Sequence, residues 1–536
     1  MASSGLKTVY GRAKATAKTP VSVKIDNNQV LNSTGIGYVY KTSDEVYLKR
    51  FLLLGAEGGT MYASEQKLNK ENAKHTLEMI KSDGKRVVDI VVDVSDKGLA
   101  VKNDAALFVL AMASSFGDNE TRAYALANLN KVARISTHLF QYLGFVQDMR
   151  GWGRGLKNAV GAWYTDKDDK SLAFQVVKYP SREGWSHRDA LRLAHPKAVG
   201  TKQEIFHYAV KGWDSVGDVP HDNEALHVIW ASEKLKTATG KEVLDLIKTY
   251  NLPMEVVPTN LRNKEIYESM IPHAGLTWLI RNLGNLSKSG AIASGQYSNL
   301  NAVCDRLTNV DNIKKARIHP LSVLVALNTY KGGKGIRGNG EWPVIQKVVD
   351  ALDACFKMSF KYLEPSGKRF VYGLDVSGSM DVGLISGLPG ITPRIASACM
   401  ATASVQTESN VETMAFSYEF ERFPIGKTES LESVINRMRD MRFGGTNCSL
   451  PMKWALENKV EADVFVIFTD SETWAGGHPS AALKSYRNKM GIDAKLVVCG
   501  MTATNFTIAD PSDPLQLDVV GCSADLPSVI SEFAKL

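Results

Sequence analysis

The sequence predicts a multidomain protein in which a long α-helical repeat region precedes a doubly wound α/β domain. Two observations support this fold class. Apolar residues recur at helical spacing over most of residues 33–360, whereas short β-rich runs alternate with helical stretches from residue 361 onward. The 536 residues, 44% of them hydrophobic, are sufficient for several globular domains.

Residues 1–32 are polar and basic and have no apolar period, so we predict a basic flexible arm there. This segment lacks the apolar middle of a signal peptide.

The chain has no apolar run long enough to span a membrane, so we expect a soluble protein without membrane contact. Its six cysteines are scattered and form no C-x-x-C pair, which favours the reducing cytoplasm.

Residues 33–360 form the predicted helical region. The segments 104–117, 122–149 and 319–330 carry apolar residues three and four positions apart, and short Gly, Asn or Pro breaks separate such segments. A series of antiparallel helix pairs of this kind indicates an α-solenoid of the HEAT type. A compact helical domain remains the alternative, because the sequence shows no clean repeat.

Residues 361–536 form the predicted α/β domain. Its continuous apolar strands alternate with helical stretches, which indicates a parallel sheet with helices on both faces. In such a sheet the ligand site lies beyond the carboxyl ends of the strands, and the stretch D-V-S-G-S follows the first strand. The predicted strands are 369–375, 411–417, 462–470 and 494–500, and the helices lie near 391–405, 428–439, 450–458 and 479–490.

The D-V-S-G-S stretch does not match three common catalytic motifs. A serine hydrolase elbow needs G-x-S-x-G, which neither serine satisfies. An aspartate-nucleophile phosphatase would have a second carboxylate two residues after Asp375, where Ser377 stands. A phosphate-binding Walker loop needs Lys followed by Ser or Thr, whereas Lys334 of the loop KGGKGIRG is followed by Gly335. We therefore predict no catalytic residue.

A metal site built from hard oxygen donors is the remaining interpretation. A divalent cation, with Mg²⁺ preferred, favours oxygen ligands and keeps several waters. Further ligands should come from the ends of neighbouring strands or from nearby loops, where the Gly444-Gly445 pair would let the chain approach closely. The predicted metal ligands are Asp375, Ser377, Ser379, Thr446 and Asp470.

Charge is unevenly distributed along the chain. Residues 361–536 carry 16 lysines and arginines against 21 acidic residues, a net charge of −5, which leaves +12 for residues 1–360. The densest basic stretch is 150–202, with 11 bases against 5 acids and with aromatic residues interleaved. Such a stretch can bind phosphates and stack on unpaired bases, although each single aromatic is more often a core residue.

Residues 182–197 read as a helix that Ser186 caps, with Asp189 as its capping-box partner. The basic side chains of this helix then form either a phosphate-binding ridge beside the helix N-terminus or an ordinary solvated face.

The D-x-S-x-S stretch with Thr446 and Asp470 resembles the metal-ion-dependent adhesion site of von Willebrand factor A domains. The resemblance implies a bound divalent cation that leaves one coordination place for an acidic side chain of a protein partner. It also implies binding rather than catalysis.

Four stretches, at 150–164, 179–197, 279–287 and 317–338, resemble the TROVE module of the Ro ribonucleoprotein family, which also ends in a von Willebrand A domain. The family then assigns 33–360 to a TROVE ring of HEAT-like helix pairs closed by the A domain of residues 361–536. One interpretation of this resemblance is that the chain is a bacterial or phage member of the Ro family.

The family resemblance implies RNA binding without enzymatic activity. A small structured non-coding (Y-like) RNA would bind the basic outer face, and single-stranded ends of misfolded or decaying RNA would enter the central hole. The role would be RNA quality control or a ribonucleoprotein scaffold, with a monomeric protein and an exoribonuclease as a further partner. On the outer face we place Lys170, Lys178, Arg182, His187, Arg188 and Arg192.

Two other function classes remain. One is a Mg²⁺-dependent protein-interaction scaffold that acts through the A domain, with an acidic protein ligand at the metal. The other is a nuclease or phosphatase, which is disfavoured because the metal site has no adjacent general base and only the carboxylates of Asp375 and Asp470.

Overall fold

The chain forms two compact units in the computed structural model. One unit combines the described residues of 1–70 and 362–536, and the other consists of residues 71–361. The predicted fold class is confirmed, because the second unit is helical and the first is built on a six-stranded sheet. None of the described helices is long and apolar enough to cross a membrane. The structure describes residues 16, 18–215, 223–295, 297–336, 340–360, 365–441 and 444–536.

The helical unit follows the predicted apolar periodicity, although the segment 122–149 is broken into three helices at Asn128 and at residues 133–135. The long α2 spans the boundary between the units and has a non-helical residue at Asp83. A short hairpin, β3 with β4, precedes α9. The elements are α2 Glu65–Lys97, α3 Asp104–Phe116, α4 Asn119–Ala127, α5 Leu129–Val132, α6 Ser136–Met149, α7 Arg154–Thr165, α8 Asp169–Lys178, β3 Ser181–Arg182, β4 Trp185–Ser186, α9 His187–Ala194, α10 Thr201–Lys211, α11 Glu224–Leu235, α12 Lys241–Tyr250, α13 Lys264–Met270, α14 Leu276–Lys288, α15 Tyr297–Leu307, α16 Val310–Ala316, α17 Pro320–Lys331 and α18 Gln346–Met358.

Helices of this unit pack against near neighbours in sequence, for example α3 on α6, α8 on α11 and α17 on α18. This local packing is typical of helical repeat proteins. The end of α2 also meets the end of α16, where Arg317 Nη2 lies 2.9 Å from Asp96 Oδ1. The helical array therefore returns on itself within the unit.

The α/β unit contains a sheet with the strand order β11-β9-β8-β5-β6-β7, which is parallel except for β7. Strand β8 is buried along its whole length, as its continuous apolar sequence VFVIFT predicts. The elements are β1 Gln29–Leu31, β2 Tyr38–Lys41, α1 Asp44–Leu54, β5 Arg369–Asp375, α19 Pro393–Thr407, β6 Asn410–Phe416, β7 Phe420–Arg422, α20 Leu431–Asp440, α21 Leu450–Glu457, β8 Val464–Thr469, α22 Pro479–Met490, β9 Lys495–Gly500, β10 Phe506–Thr507, β11 Gln516–Val520 and α23 Leu526–Lys535.

The N-terminal segment differs from its predicted role. Residues 18–32, predicted as part of a flexible arm, pack on the α/β unit: Val21 is buried, and Asn32 Nδ2 donates to Thr473 O at 2.8 Å. Residues 33–70, assigned from the sequence to the helical region, also belong to the α/β unit. The physical reason is that β2 pairs with β10, so the polar backbone of this segment is satisfied there. The remainder of the predicted arm, residues 1–15 and 17, lies outside the described residues.

Candidate functional site

The predicted metal ligands come together at the carboxyl edge of the sheet. Asp375 is the last residue of β5, and Asp470 follows the last residue of the adjacent parallel strand β8. Thr446 lies in the loop before α21. All five predicted ligands are at most 3% exposed, which for two carboxylates and three hydroxyls requires a specific arrangement of partners.

Hydrogen bonds order the first three ligands. The Asp375 carboxylate accepts from the Ser377 backbone N–H at 2.9 Å and from Thr469 Oγ1 at 2.6 Å. The Ser377 and Ser379 hydroxyl oxygens are 3.2 Å apart. The alternating side chains of the turn therefore converge, as the spacing predicts.

Thr446 is fixed through its carbonyl oxygen, which accepts from the backbone N–H groups of Trp474 and Ala475 at 3.1 and 3.0 Å. A side chain at Gly445 would begin 2.5 Å from the Trp474 ring. A side chain at position 445 would therefore have to displace the Trp474 ring, which lies against the chain there, a contact that the sequence does not reveal.

The electrostatics of the site fit a cation. Burial, and then the negative charge of Asp470, raise the pKa of Asp375 to about 7. Burial also raises the pKa of Asp470. In the described part of the chain, no group of three or more His, Cys, Asp and Glu side chains is arranged to hold a metal. A cation at this site would therefore need hydroxyl, backbone or water oxygens besides the carboxylates.

Arg394, whose role was missed from the sequence, supports the D-V-S-G-S turn from α19. Its side chain is fully buried, and Nη2 donates to Val376 O at 2.6 Å and lies 3.0 Å from Asp381 Oδ2. It thus holds the backbone between Asp375 and Ser377. No sequence pattern distinguishes this arginine from an exposed one.

Glu472 is a second missed residue. It is 1% exposed, and neither carboxylate oxygen meets hydrogen-bond geometry with any described residue. Burial, and then the charge of Asp470, raise the pKa of Glu472 to about 8, although nearby donors of Ser33 and Thr34 counter part of the rise. The site therefore borders a third buried carboxyl group, and a sequence search for D-x-S-x-S ligands does not include it.

In the predicted RNA-binding region, the capping box of α9 is confirmed. Ser186 Oγ accepts from the Asp189 N–H at 3.3 Å, and the Asp189 carboxylate accepts from the Ser186 N–H at 3.0 Å. This arrangement fixes the orientation of the helix and therefore of its basic residues.

The prediction that His187 lies on the outer face is wrong. It is 3% exposed, its ring lies against Phe140 with centroids 4.9 Å apart, and its Nδ1 is 2.9 Å from the Tyr164 hydroxyl. Nε2 lies 3.1 Å from Tyr179 O. Burial lowers its pKa to about 4. Because the helix buries His187 with Ala190 and Leu191, the residue belongs to the core.

Arg188 and Arg192 lie on the opposite, exposed side of α9, one helical turn apart. The structure gives neither guanidinium a carboxylate partner among the described residues. Three other predicted contacts already have neighbours: Arg182 pairs with Glu183 at 3.1 Å, Lys170 pairs with Glu224, and Lys178 is 3.9 Å from Glu255. Among the predicted RNA-binding residues, the two arginines of α9 are therefore those that are exposed and have no carboxylate partner in the described part of the chain.

The interleaved aromatic residues mostly serve the core, as the sequence analysis expected of each single one. Trp163 and Tyr164 are fully buried, and Trp163 Nε1 donates to Ala133 O at 2.5 Å. Trp152 and Trp185 are partly exposed, with ring centroids 5.8 Å apart. This pair and Tyr179, which is also partly exposed, retain a surface near α9.

Two protein-family models match most of the chain. The family model described as the TROVE domain matches residues 31–252 and 253–336, and the one described as the Ro60 vWA domain matches residues 369–534. The chain is 41% identical to the RNA-binding protein RO60 of Deinococcus radiodurans over 96% of this chain and 97% of that protein. It is 33% identical to the RNA-binding protein RO60 of Caenorhabditis elegans over 95% and 90% of the two chains.

A solved structure of similar architecture is the crystal structure of the Deinococcus radiodurans RO (RSR) protein. It aligns with a TM-score of 0.70 and 40% identity over 92% of this chain and 99% of that chain. Two family models in sequence, relatives above 30% identity over nearly their whole length and this structural similarity establish that the chain belongs to the Ro ribonucleoprotein family.

Proposed function

We propose that this protein binds RNA through its helical unit and acts in RNA quality control or as a ribonucleoprotein scaffold, without catalysis. Two relatives that match nearly the whole chain are named as RNA-binding proteins, which supports the proposal. The net charge of +7 on residues 71–360, which carry 38 lysines and arginines against 31 acidic residues, also supports it, since phosphate contacts contribute much of the affinity for nucleic acids.

The observation that carries the proposal is the arginine pair of α9. Arg188 and Arg192 share one exposed helix face, and the capping box and the buried His187 hold that helix in place. A preorganised pair of guanidinium groups binds phosphate oxygens at low entropic cost. Lys170, Lys178 and Arg182 would add contacts after exchanging their present carboxylate neighbours for phosphate.

A small structured Y-like RNA is the proposed ligand of this face, and single-stranded ends of misfolded or decaying RNA are the proposed second ligand. An exoribonuclease that acts with the bound RNA is the proposed protein partner. These assignments rest on membership in the Ro family.

A gel-shift titration of the full chain tests the proposal, with an RNA hairpin that carries a single-stranded 3′ extension as probe. Each phosphate contact contributes a slope of roughly 0.7 to 0.9 in log K against log salt, so loss of two contacts should weaken binding by about 10- to 30-fold at about 0.15 M salt. We expect this for Arg188→Ala with Arg192→Ala.

The matched control is Lys484→Ala with Lys489→Ala, which removes the same charge from exposed positions of α22 in the α/β unit. Equal affinities of the arginine variant, the control and the unmodified protein would refute RNA binding at this face. Circular dichroism of each variant checks that the helices remain folded.

A second candidate function is a cation-dependent protein interaction at the α/β unit. The buried set of Asp375, Ser377, Ser379, Thr446 and Asp470 favours it. These residues would hold a divalent cation, most suitably Mg²⁺, which when bound would offer a coordination place to a carboxylate of a partner protein. Arg394 would keep the turn in position, and the mutual proximity of Asp375 and Asp470 would supply the negative charge.

A further inference from the structure

Residues 18–37 lie against the loop that leaves strand β8. We call these residues the N-terminal strap, and we call residues 470–478 the site loop because they contain one of the predicted metal ligands. Both belong to the α/β unit. The Val21 N–H donates to Gly476 O at 2.9 Å, and His478 Nε2 lies 2.7 Å from a backbone carbonyl oxygen of the strap. The N-terminal strap is therefore bound to the last residues of the site loop.

Asn32 connects the N-terminal strap to the middle of the site loop. Its side chain is 4% exposed, and Nδ2 donates to Thr473 O at 2.8 Å. The strap backbone also comes close there, because a Cβ built on Gly37 would lie 1.8 Å from the same carbonyl oxygen. The Gly37 N–H in turn donates to Asn32 Oδ1 at 3.3 Å, which holds the amide in place. Thr473 is thus fixed by both a hydrogen bond and a close backbone contact.

Thr473 connects the strap to one of the predicted metal ligands. Its hydroxyl donates to Thr446 O at 3.2 Å, and this carbonyl also accepts from the Trp474 N–H at 3.1 Å. A displacement of Thr473 would therefore shift the backbone of Thr446. Asn32 reaches this ligand through a single intervening residue.

Glu472 makes the second connection between the strap and the site. Its side chain is buried, and hydrogen-bond donors of Ser33 and Thr34 counter part of the rise in its pKa that burial and the charge of Asp470 cause. The Glu472 N–H donates to Asp470 Oδ1 at 3.0 Å. Ser33 and Thr34 therefore reach a second predicted ligand, again through one residue.

The backbone of the site loop needs such support. Ser471 has a φ of 62°, in the left-handed region that is unfavourable for a residue with a side chain. A conformation of this kind persists only where surrounding contacts hold it. The strap contacts the two residues that follow, Glu472 and Thr473, so its contacts help to maintain the turn next to Asp470.

We propose that the N-terminal strap positions the candidate cation site, with Asn32 orienting Thr446 and with Ser33 and Thr34 orienting Asp470. The inference rests on the cation-dependent interaction proposed above, and it adds positioning residues that lie in the range matched by the TROVE model. Because the strap and a bound cation would stabilise the same conformation of the site loop, each should strengthen the binding of the other by the same factor.

Hydrogen–deuterium exchange of the unmodified full chain, with and without Mg²⁺, tests this coupling. We expect the protected amides of the N-terminal strap and of the site loop to exchange about fivefold more slowly in Mg²⁺, the factor that corresponds to roughly one hydrogen bond. Helix α12 of the helical unit is the internal control and should exchange at the same rate in both conditions. A strap with a purely structural role would also show no response to Mg²⁺.

Asn32→Ala should weaken Mg²⁺ binding in calorimetry by about five- to tenfold and should abolish the effect of Mg²⁺ on exchange in the strap. Asn128→Ala is the matched control, because Asn128 is a 5% exposed amide of the helical unit whose Nδ2 donates to Tyr124 O at 2.9 Å. Its Mg²⁺ affinity should equal that of the unmodified chain to within about twofold.

Ser33→Ala is a second variant at an exposed position, where the substitution does not disturb the core. It removes the hydroxyl donor near Glu472 and should weaken Mg²⁺ binding by about two- to fivefold. This variant, together with the exchange measurement on the unmodified chain, keeps the test decisive if Asn32→Ala does not fold.

The outcomes separate the two proposals. Absence of Mg²⁺ binding to the unmodified chain refutes the cation-dependent function and with it the positioning role of the strap. If the unmodified chain binds Mg²⁺, equal affinity in the strap variants or identical exchange of the strap with and without Mg²⁺ refutes only the positioning role.

Discussion

The substitution His187→Gln separates folding from RNA recognition in the helical unit. The imidazole is buried against Phe140 and Tyr164, and burial lowers its pKa from 6.5 to about 4. In the unfolded chain it binds a proton near pH 6.5, whereas in the folded chain it stays neutral until the pH approaches 4. The neutral imidazole therefore contributes stability above about pH 6.5 that is lost as the pH falls towards 4. The difference of about 2.5 pKa units corresponds to about 3 kcal/mol.

Denaturant unfolding between about pH 4.5 and 7 measures this contribution. The free energy of unfolding of the unmodified protein should fall more steeply with acidification than that of His187→Gln, with a difference that approaches about 3 kcal/mol. At neutral pH the variant should lose about 1 to 3 kcal/mol, because the hydrogen bonds to Tyr164 and Tyr179 are disturbed. His138→Gln should flatten the pH dependence in the same way, since burial also lowers the pKa of His138 to about 4.

RNA affinity at neutral pH should be the same for His187→Gln and the unmodified protein to within about twofold, because the imidazole does not reach the surface. Parallel unfolding curves for the two proteins across the pH range would show that the imidazole is hydrated and would refute the reasoning. A loss of RNA affinity without a loss of stability would return His187 to the RNA-binding face.

The candidate metal site gives three further predictions. Since the pKa of Asp375 is raised to about 7, a proton competes with the cation below that pH, so Mg²⁺ affinity in calorimetry should rise about tenfold per pH unit up to about pH 7 and then level off. Asp375→Asn should bind no Mg²⁺, and measurable binding would contradict the ligand assignment. Arg394→Met should weaken Mg²⁺ binding by at least about tenfold while Arg394→Lys restores part of it, whereas equal affinity in the two variants would exclude a positioning role for Arg394.

The convergence of the candidate ligands was predictable because these residues follow a topological rule. Parallel strands end at one edge, so ligands at the ends of β5 and β8 meet although they are far apart in sequence. Arg394 and Glu472 obey no such rule, since their roles depend on which charged side chains the fold buries. The exposure of Tyr418 and Trp474 was equally unpredictable, because it depends on which other segments of the folded chain pack on them.

The position of His187 could have been predicted from the apolar periodicity of α9, in which Arg188 is exposed. His187, Ala190, Leu191 and Ala194 recur at spacings of three and four, and three of them are buried in the structure. The basic residues of α9 suggested a surface ridge that includes His187, but the apolar periodicity of the helix assigns His187 to its buried face. In a short helix the periodicity of the pattern is therefore the better guide to which residues face solvent.

The N-terminal segment shows why sequence modules and compact units differ in this family member. The TROVE match begins at residue 31, yet Arg50 of α1 donates to Asp518 of β11 at 2.6 Å within the α/β unit. Asp518 is largely buried, and burial raises its pKa while Arg50 opposes the rise. Without α1 this carboxylate would lose its charged partner, at a cost of several kcal/mol. An α/β fragment cut at the sequence boundary would therefore present an altered domain, so cation and partner binding must be measured on the full chain.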